Sequence, residues 1–173
     1  MFATIYLPDF YLQAALWQHP ELNSKPVALI DDRETKAAII QLNAKAAETG
    51  VQGGMTPSQG LARSLELIIK TRNHPNEKRI HEILLHFAGT LAPFVEITGP
   101  GISTVRFTDG RRVKEKVSIA IEQLADNEIL AQAGLGPTAE VSFLAAHFAN
   151  PILEVNHAND FLTHLPIETL TIN

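Results

Sequence analysis

The chain contains no cysteine, so disulfides, thiolate metal sites and cysteine nucleophiles are all excluded, and the fold must stand on packing alone. A reducing cytoplasm suits such a chain. It also has no surplus of basic residues, because 14 Lys and Arg stand against 19 Asp and Glu for a formal net charge of −5. Nucleic-acid backbones are gripped by counterion release from clustered Lys and Arg, so this stretch alone is not expected to hold DNA that way. Its basic clusters are Lys70 to Arg72, Lys78 with Arg79, and Arg111, Arg112, Lys114 and Lys116, the last interrupted by Glu115. Each reads as a solvated helix face. No apolar run approaches the ~20 residues needed to span a bilayer, and the strand-like Phe2–Leu7 has no basic segment before it. A soluble, unexported, cytoplasmic protein without membrane partners is expected. No internal repeat or low-complexity segment stands out.

The chain does have 173 residues, of which 45% are apolar, enough for one good core with a small appendage. Strand patterns rich in β-branched residues fall at Phe2–Leu7, Pro26–Ile30, Ala37–Leu42, Leu67–Ile69, Phe94–Thr98, Ile102–Phe107, Glu128–Ala133 and Ile152–Val155. Helical patterns fall at Phe10–Trp17, Ala44–Glu48, a segment from Thr56 to about Ser64, Pro75–Leu91, Val113–Leu124 and Thr138–Phe148. Gly50 reads as a left-handed C-terminal residue. Thr56-Pro57-Ser58-Gln59 reads as a capping box, and Gly134–Pro137 as a turn. Asp160–Leu165 begins an element that the chain does not finish. The 94–107 hairpin must be antiparallel, which predicts an α+β fold. Its ferredoxin-like mixed sheet, a βαββαβ split unit, would have helices on one face and a small helical insertion at about 44–64.

These words in this order resemble the palm and fingers of Y-family translesion DNA polymerases, the group of DinB and UmuC. The resemblance is carried by Phe10-Tyr11, His19-Pro20-Glu21-Leu22 with Lys25-Pro26-Val27-Ala28, and Gly50-Val51 with Gly54-Met55 and Ala62. Phe94-Val95-Glu96, Gly134-Leu135-Gly136-Pro137 and Phe161-Leu162-Thr163-His164-Leu165-Pro166 follow in register. It implies a palm over 1–25 and 71–158, fingers over 26–70, and the start of a thumb over 159–173. It also implies phosphoryl transfer through two metal ions, which needs carboxylates converging on the cations. Those carboxylate positions fall here at Tyr6 and Pro8 on the first strand and at Gly101 and Ile102 in Gly99-Pro100-Gly101-Ile102. The triphosphate-holding positions fall at Ala44, Ala47 and Phe143. Phe10 and Tyr11 occupy the nucleotide-contacting aromatic places, Tyr11 that of a steric gate.

The erased charges, with Met55–Gln59 and Gly134–Thr138, resemble the degenerate ImuB branch most. That branch implies a non-catalytic adaptor in damage-induced mutagenesis, with no cofactor. Its partners are DNA through the full-length protein, a sliding clamp, an error-prone replicative-type polymerase and a RecA-like accessory, all at the nucleoid.

Rival readings are a nucleotidyltransferase with a magnesium site rebuilt from Asp9, Glu96 and Asp31 or Asp32, or a ferredoxin-like module with no nucleic-acid role. For each residue the plainer role is favoured: Asp9 as the side-chain N-cap of the helix at Phe10, Glu96 as a solvated strand carboxylate, and Asp31-Asp32 as a turn cap. Tyr11 reads as a rim aromatic. His81-Glu82 with His86 lacks the i, i+4 spacing of a zinc helix, and Gly134-Leu135-Gly136 has no lysine after it as a phosphate loop would.

Overall fold

The computed structural model describes residues 1–31, 33–34 and 36–165. The chain runs β1 (Phe2–Tyr6), α1 (Phe10–Leu16), a 3-10 turn (Pro20–Leu22), β2 (Val27–Ile30), β3 (Ile39–Leu42), α2 (Ala44–Glu48), α3 (Pro57–Arg63) and β4 (Ile68–Thr71). It continues through α4 (His74–Leu91), β5 (Phe94–Gly99), β6 (Ile102–Arg106), α5 (Val113–Asp126), β7 (Gln132–Gly136), α6 (Ala139–Phe148), β8 (Ile152–Glu154) and α7 (Ala158–Thr163). Among the described residues no helix is long and apolar enough to cross a membrane. Two compact units form, one from Met1–Pro8 with His81–Asn173 and one from Asp9–Ile80. The palm and fingers borders implied by the resemblance, 25/26 and 70/71, do not coincide with the borders of these units.

The first unit is a five-stranded sheet in the order β5-β6-β1-β7-β8. β1 lies at its centre, antiparallel to both β6 and β7, and β8 is parallel to β7. Leaving β8 aside, this is the ferredoxin-like split unit. Strand alternation sets two faces: Ala3, Ile5, Val105, Ala133 and Leu135, all fully buried, point one way, while Thr4 points toward α6, where its hydroxyl meets Ser142. Both faces of β1 are therefore covered, not one as the element order alone predicts.

The reason lies in β7. The sequence places a strand at Glu128–Ala133 and a turn at Gly134–Pro137, but Gly134 and Gly136 are strand residues. A Cβ on Gly134 would lie 2.2 Å from the Ala146 nitrogen and the Ser142 carbonyl oxygen. These glycines serve neither a turn nor a phosphate cradle; they let α6 lie directly on the sheet.

The second unit is a three-stranded sheet in the order β3-β2-β4, with β2 antiparallel to β3 and parallel to β4. β2 is buried on both sides. Val27 and Leu29 pack with Leu12, Ala15 and Leu22, and Ala28 packs with Ile39, Ala46, Val51 and Leu67. The local signals in this unit hold: Gly50 is left-handed at φ +83°, and Thr56 and Gln59 form the reciprocal capping box at 3.3 and 2.9 Å. Asn43 caps α2 and also joins the edge of β2, accepting from Ala46 and Val27 at 3.0 Å each.

Candidate functional site

The positions where the resemblance implies carboxylates meet in the first unit. Tyr6, at the end of β1, stands directly opposite Ile102 of β6, and Leu7 donates its backbone N–H to the Gly101 carbonyl at 2.9 Å. Opposed residues of an antiparallel pair share a face. α6 sends His147 onto the Tyr6 ring with centroids 4.2 Å apart, and Phe143 tilts against His147 at 4.6 Å. His147 Nδ1 lies 2.9 Å from the Phe143 carbonyl; a carbonyl only accepts, so Nδ1 is the protonated nitrogen. Gly101 turns the hairpin at φ +70°, and Ile102 is 8% exposed.

Three neutral hydroxyls lie deeper on the same face. Thr4 Oγ1 is 2.9 Å from Thr104 Oγ1 and 2.8 Å from Ser142 Oγ. Ser142 gives its single proton to the Ala139 carbonyl, so Thr4 must donate to Ser142 and Thr104 to Thr4. The chain of donors has one direction and leaves no charge.

At the positions on this face to which the resemblance assigns carboxylates and an ammonium group stand a phenol, a phenyl ring, a buried isoleucine and a glycine, with an imidazole beside them. Among the described residues no three His, Asp or Glu side chains gather so as to hold a cation. The residues present do not fit a two-metal centre.

The sequence model of the impB/mucB/samB family matches residues 5–147. The chain belongs to that family. It is 23% identical over 170 residues to a DNA polymerase IV of Actinobacillus pleuropneumoniae serotype 5b (strain L20), covering 93% of this chain and 48% of the relative. In fold it is similar to a post-insertion binary complex of Dbh DNA polymerase, with a TM-score of 0.85, 18% identity, and coverage of 97% of this chain and 52% of that one. It is likewise similar to DinB from Sulfolobus solfataricus, with a TM-score of 0.81, 17% identity, and coverage of 97% and 52%. The chain thus spans about half the length of the relatives it matches.

The other candidate positions read from the sequence lie elsewhere. Ala44 and Ala47 are exposed methyl groups on α2. Glu96 is exposed on β5, opposite Thr104. His81, Glu82 and His86 lie on α4 and join no cation-holding group. Asp32 and residues 166–173, including Pro166 and most of the expected thumb start, lie outside the described residues.

Asp9 is not the side-chain cap that its position predicts. Its backbone is left-handed, φ 49° and ψ 42°, and its carboxylate makes no capping bond to α1. The Leu12 N–H is taken instead by the side-chain oxygen of Gln41 on β3, at 2.8 Å, while Asp9 contributes only its backbone carbonyl, to Gln13. Although its side chain reaches solvent, the surrounding protein desolvates the carboxylate and raises its pKa.

Tyr11 carries the Arg72 guanidinium over its ring at 3.9 Å and meets the buried Phe10 edge-on at 5.4 Å, a rim aromatic in a charged setting. Arg72 bonds both Glu77 oxygens, at 2.9 and 2.7 Å, and Asp31 at 2.9 Å; His74 lies 3.2 Å from Glu77. Asp31 also accepts from the Arg33 N–H at 3.0 Å, the expected turn cap. That bond first, with Arg72 beside it, holds the Asp31 pKa below its usual value. Burial alone would raise Glu77, but the Arg72 hydrogen bonds and charge outweigh it and its pKa is lowered. No spacing rule links Asp31 to Arg72, 41 residues later, which is why the sequence alone does not reveal this hub.

Proposed function

We propose that this family member acts in translesion DNA synthesis without performing phosphoryl transfer, as an adaptor of the degenerate ImuB kind. In this reading the first unit is the palm, the second carries the fingers, and α7 opens the thumb. DNA, a sliding clamp, an error-prone replicative-type polymerase and a RecA-like accessory are its partners in the full-length protein. The observation that carries the reading is the packing of Tyr6, His147 and Phe143 against one another, with Ile102 across the ladder, where catalysis would need converging carboxylates. The neighbouring hydroxyls end on the Ala139 carbonyl, and the three rings, each half-buried, offer no carboxylate to a cation.

Calorimetric titration with Mn²⁺ and a deoxynucleoside triphosphate, on this chain and on Asp9→Ala, tests the proposal. No heat is expected from either protein. Metal-dependent heat that Asp9→Ala abolishes would mean a rebuilt site and an enzyme.

A further inference from the structure

On the face of the first unit that bears α6, the helix packs over β7 and β1, and the β5 side stays open. There, at the opposite end of β1 and β6 from Tyr6 and Ile102, a groove of about 390 Å³ is lined by Phe2, Pro93, Phe94, Glu96, Thr104 and Arg106. Its volume suits a small planar ligand. Phe94, Arg106 and Phe2 form one cross-strand row, and the Arg106 guanidinium lies 5.9 Å from the Phe2 ring centroid. Strands repeat every ~4.8 Å, so the two phenylalanine backbones stand about 10 Å apart with arginine between them, a row across which one planar ring can lie. Phe94 is 60% exposed, which is costly for an edge-strand phenylalanine that covers nothing. The next row is Glu96, Thr104 and Thr4, in which Thr104 already donates to Thr4, leaving Glu96 to offer acceptors.

We propose that this groove receives an unpaired base of single-stranded DNA, cytosine in preference to thymine. Aromatic side chains on an open four-stranded sheet are a recurring platform for single-stranded bases, because every base has a face to stack. Arg106 supplies a cation for the attached phosphate. Glu96, which only accepts, matches the two protons of the cytosine N4 amine, whereas thymine offers it a single N3–H flanked by two carbonyl acceptors. The inference goes beyond the adaptor reading and rests on it only for the choice of DNA. With a single arginine on a chain of net charge −5, binding is weak and its salt dependence shallow, with a log–log slope of roughly −0.7 for one neutralised phosphate.

Fluorescence anisotropy of the whole chain, in chelator and at low salt, with labelled oligo-dC, oligo-dT and a duplex, tests it independently of any metal or nucleotide site. Oligo-dC should bind severalfold tighter than oligo-dT, and both tighter than the duplex. Phe94→Ala should weaken oligo-dC binding by about 5- to 100-fold with an unchanged melting temperature, since that ring is largely in solvent. Arg106→Gln should flatten the salt dependence. Glu96→Gln, whose amide both donates and accepts, should erase the preference for cytosine. Oligo-dC affinities within about twofold of the parent for both Phe94→Ala and Arg106→Gln would overturn the assignment. So would equal binding of duplex, or a dimer in sedimentation that Phe94→Ala dissolves.

Discussion

The two units solve the same problem with opposite chemistry. In the first, the polar groups buried at the sheet centre are neutral: Thr4, Thr104 and Ser142 pass one proton direction toward a helix carbonyl. In the second, the corresponding role falls to ions, with Arg72 held by Glu77 and Asp31 at side-chain exposures of 18%, 11% and 17%. Charge is absent from the buried polar side chains of the first unit. In the other unit it remains, but it is consumed in holding β2, β4 and the start of α4 together. A saturated ion cluster does not attract a ligand, because its Coulomb energy is already spent on its neighbours.

The first unit breaks most easily through close packing. Gly134→Ala places a methyl carbon 2.2 Å from backbone atoms of α6, which no rotamer change relieves, so a loss of about 3 kcal/mol or more is expected, visible as a collapsed chemical-denaturation midpoint or insolubility. Gly89→Ala on α4 meets nothing within 4 Å and should instead gain about 0.5–1 kcal/mol from helix propensity. A Gly134→Ala chain as stable as the parent would mean that α6 is not seated on β7.

Second in size is the ionic hub. Arg72→Met leaves two carboxylates facing each other with little solvent, and a cost of about 2–3 kcal/mol is expected, below the full value for a completely buried pair. The pH dependence gives the sharper test. The folded-state pKa of Glu77 lies below its ordinary 4.5 and that of Asp31 below 3.8, so the stability they confer is present at neutral pH. It is lost as pH falls below about 4.5 and through the lowered values. Glu77→Gln should lower stability at pH 7 and flatten that acid arm, and amide exchange in β2 and β4 should rise with acid before exchange in β1 and β7. An unchanged acid arm in Glu77→Gln would place the acid sensitivity elsewhere.

Most element positions were legible because the signals behind them are local. α2, α3 with its capping box, and α4 follow from caps and apolar periodicity read within one turn of the chain, and the hairpin of β5 and β6 follows from its short connection. The residues at Tyr6, Gly101, Ile102 and Phe143 are uncharged on reading alone, and that they stand where the family keeps its charges is what the resemblance implies. What failed was whatever depends on residues distant in sequence. Gly134 and Gly136 look like a turn unless α6 is known to lie on them. The Asp31–Arg72 pair bridges 41 positions, and the aromatic packing of Tyr6 with His147 depends on a sheet register and a helix placement that the spacing of these residues does not encode.

The smallest effect separates the two readings of Asp9. A side-chain N-cap replaced by alanine costs about 1 kcal/mol, and the sequence assigns that loss to Asp9. In the fold the loss belongs to Gln41, whose oxygen takes the Leu12 N–H from the edge strand β3. Gln41→Ala should therefore destabilise the second unit by about 1 kcal/mol. Asp9 holds a left-handed backbone, a conformation glycine adopts without steric cost, and its carboxylate is partly desolvated. Asp9→Gly removes both penalties and should leave stability unchanged or raise it by about 0.5 kcal/mol. Denaturant titration of the two variants side by side decides the matter: a reversed order, with Asp9→Gly the weaker protein, would return the cap to Asp9 and reduce Gln41 to a bystander on its strand.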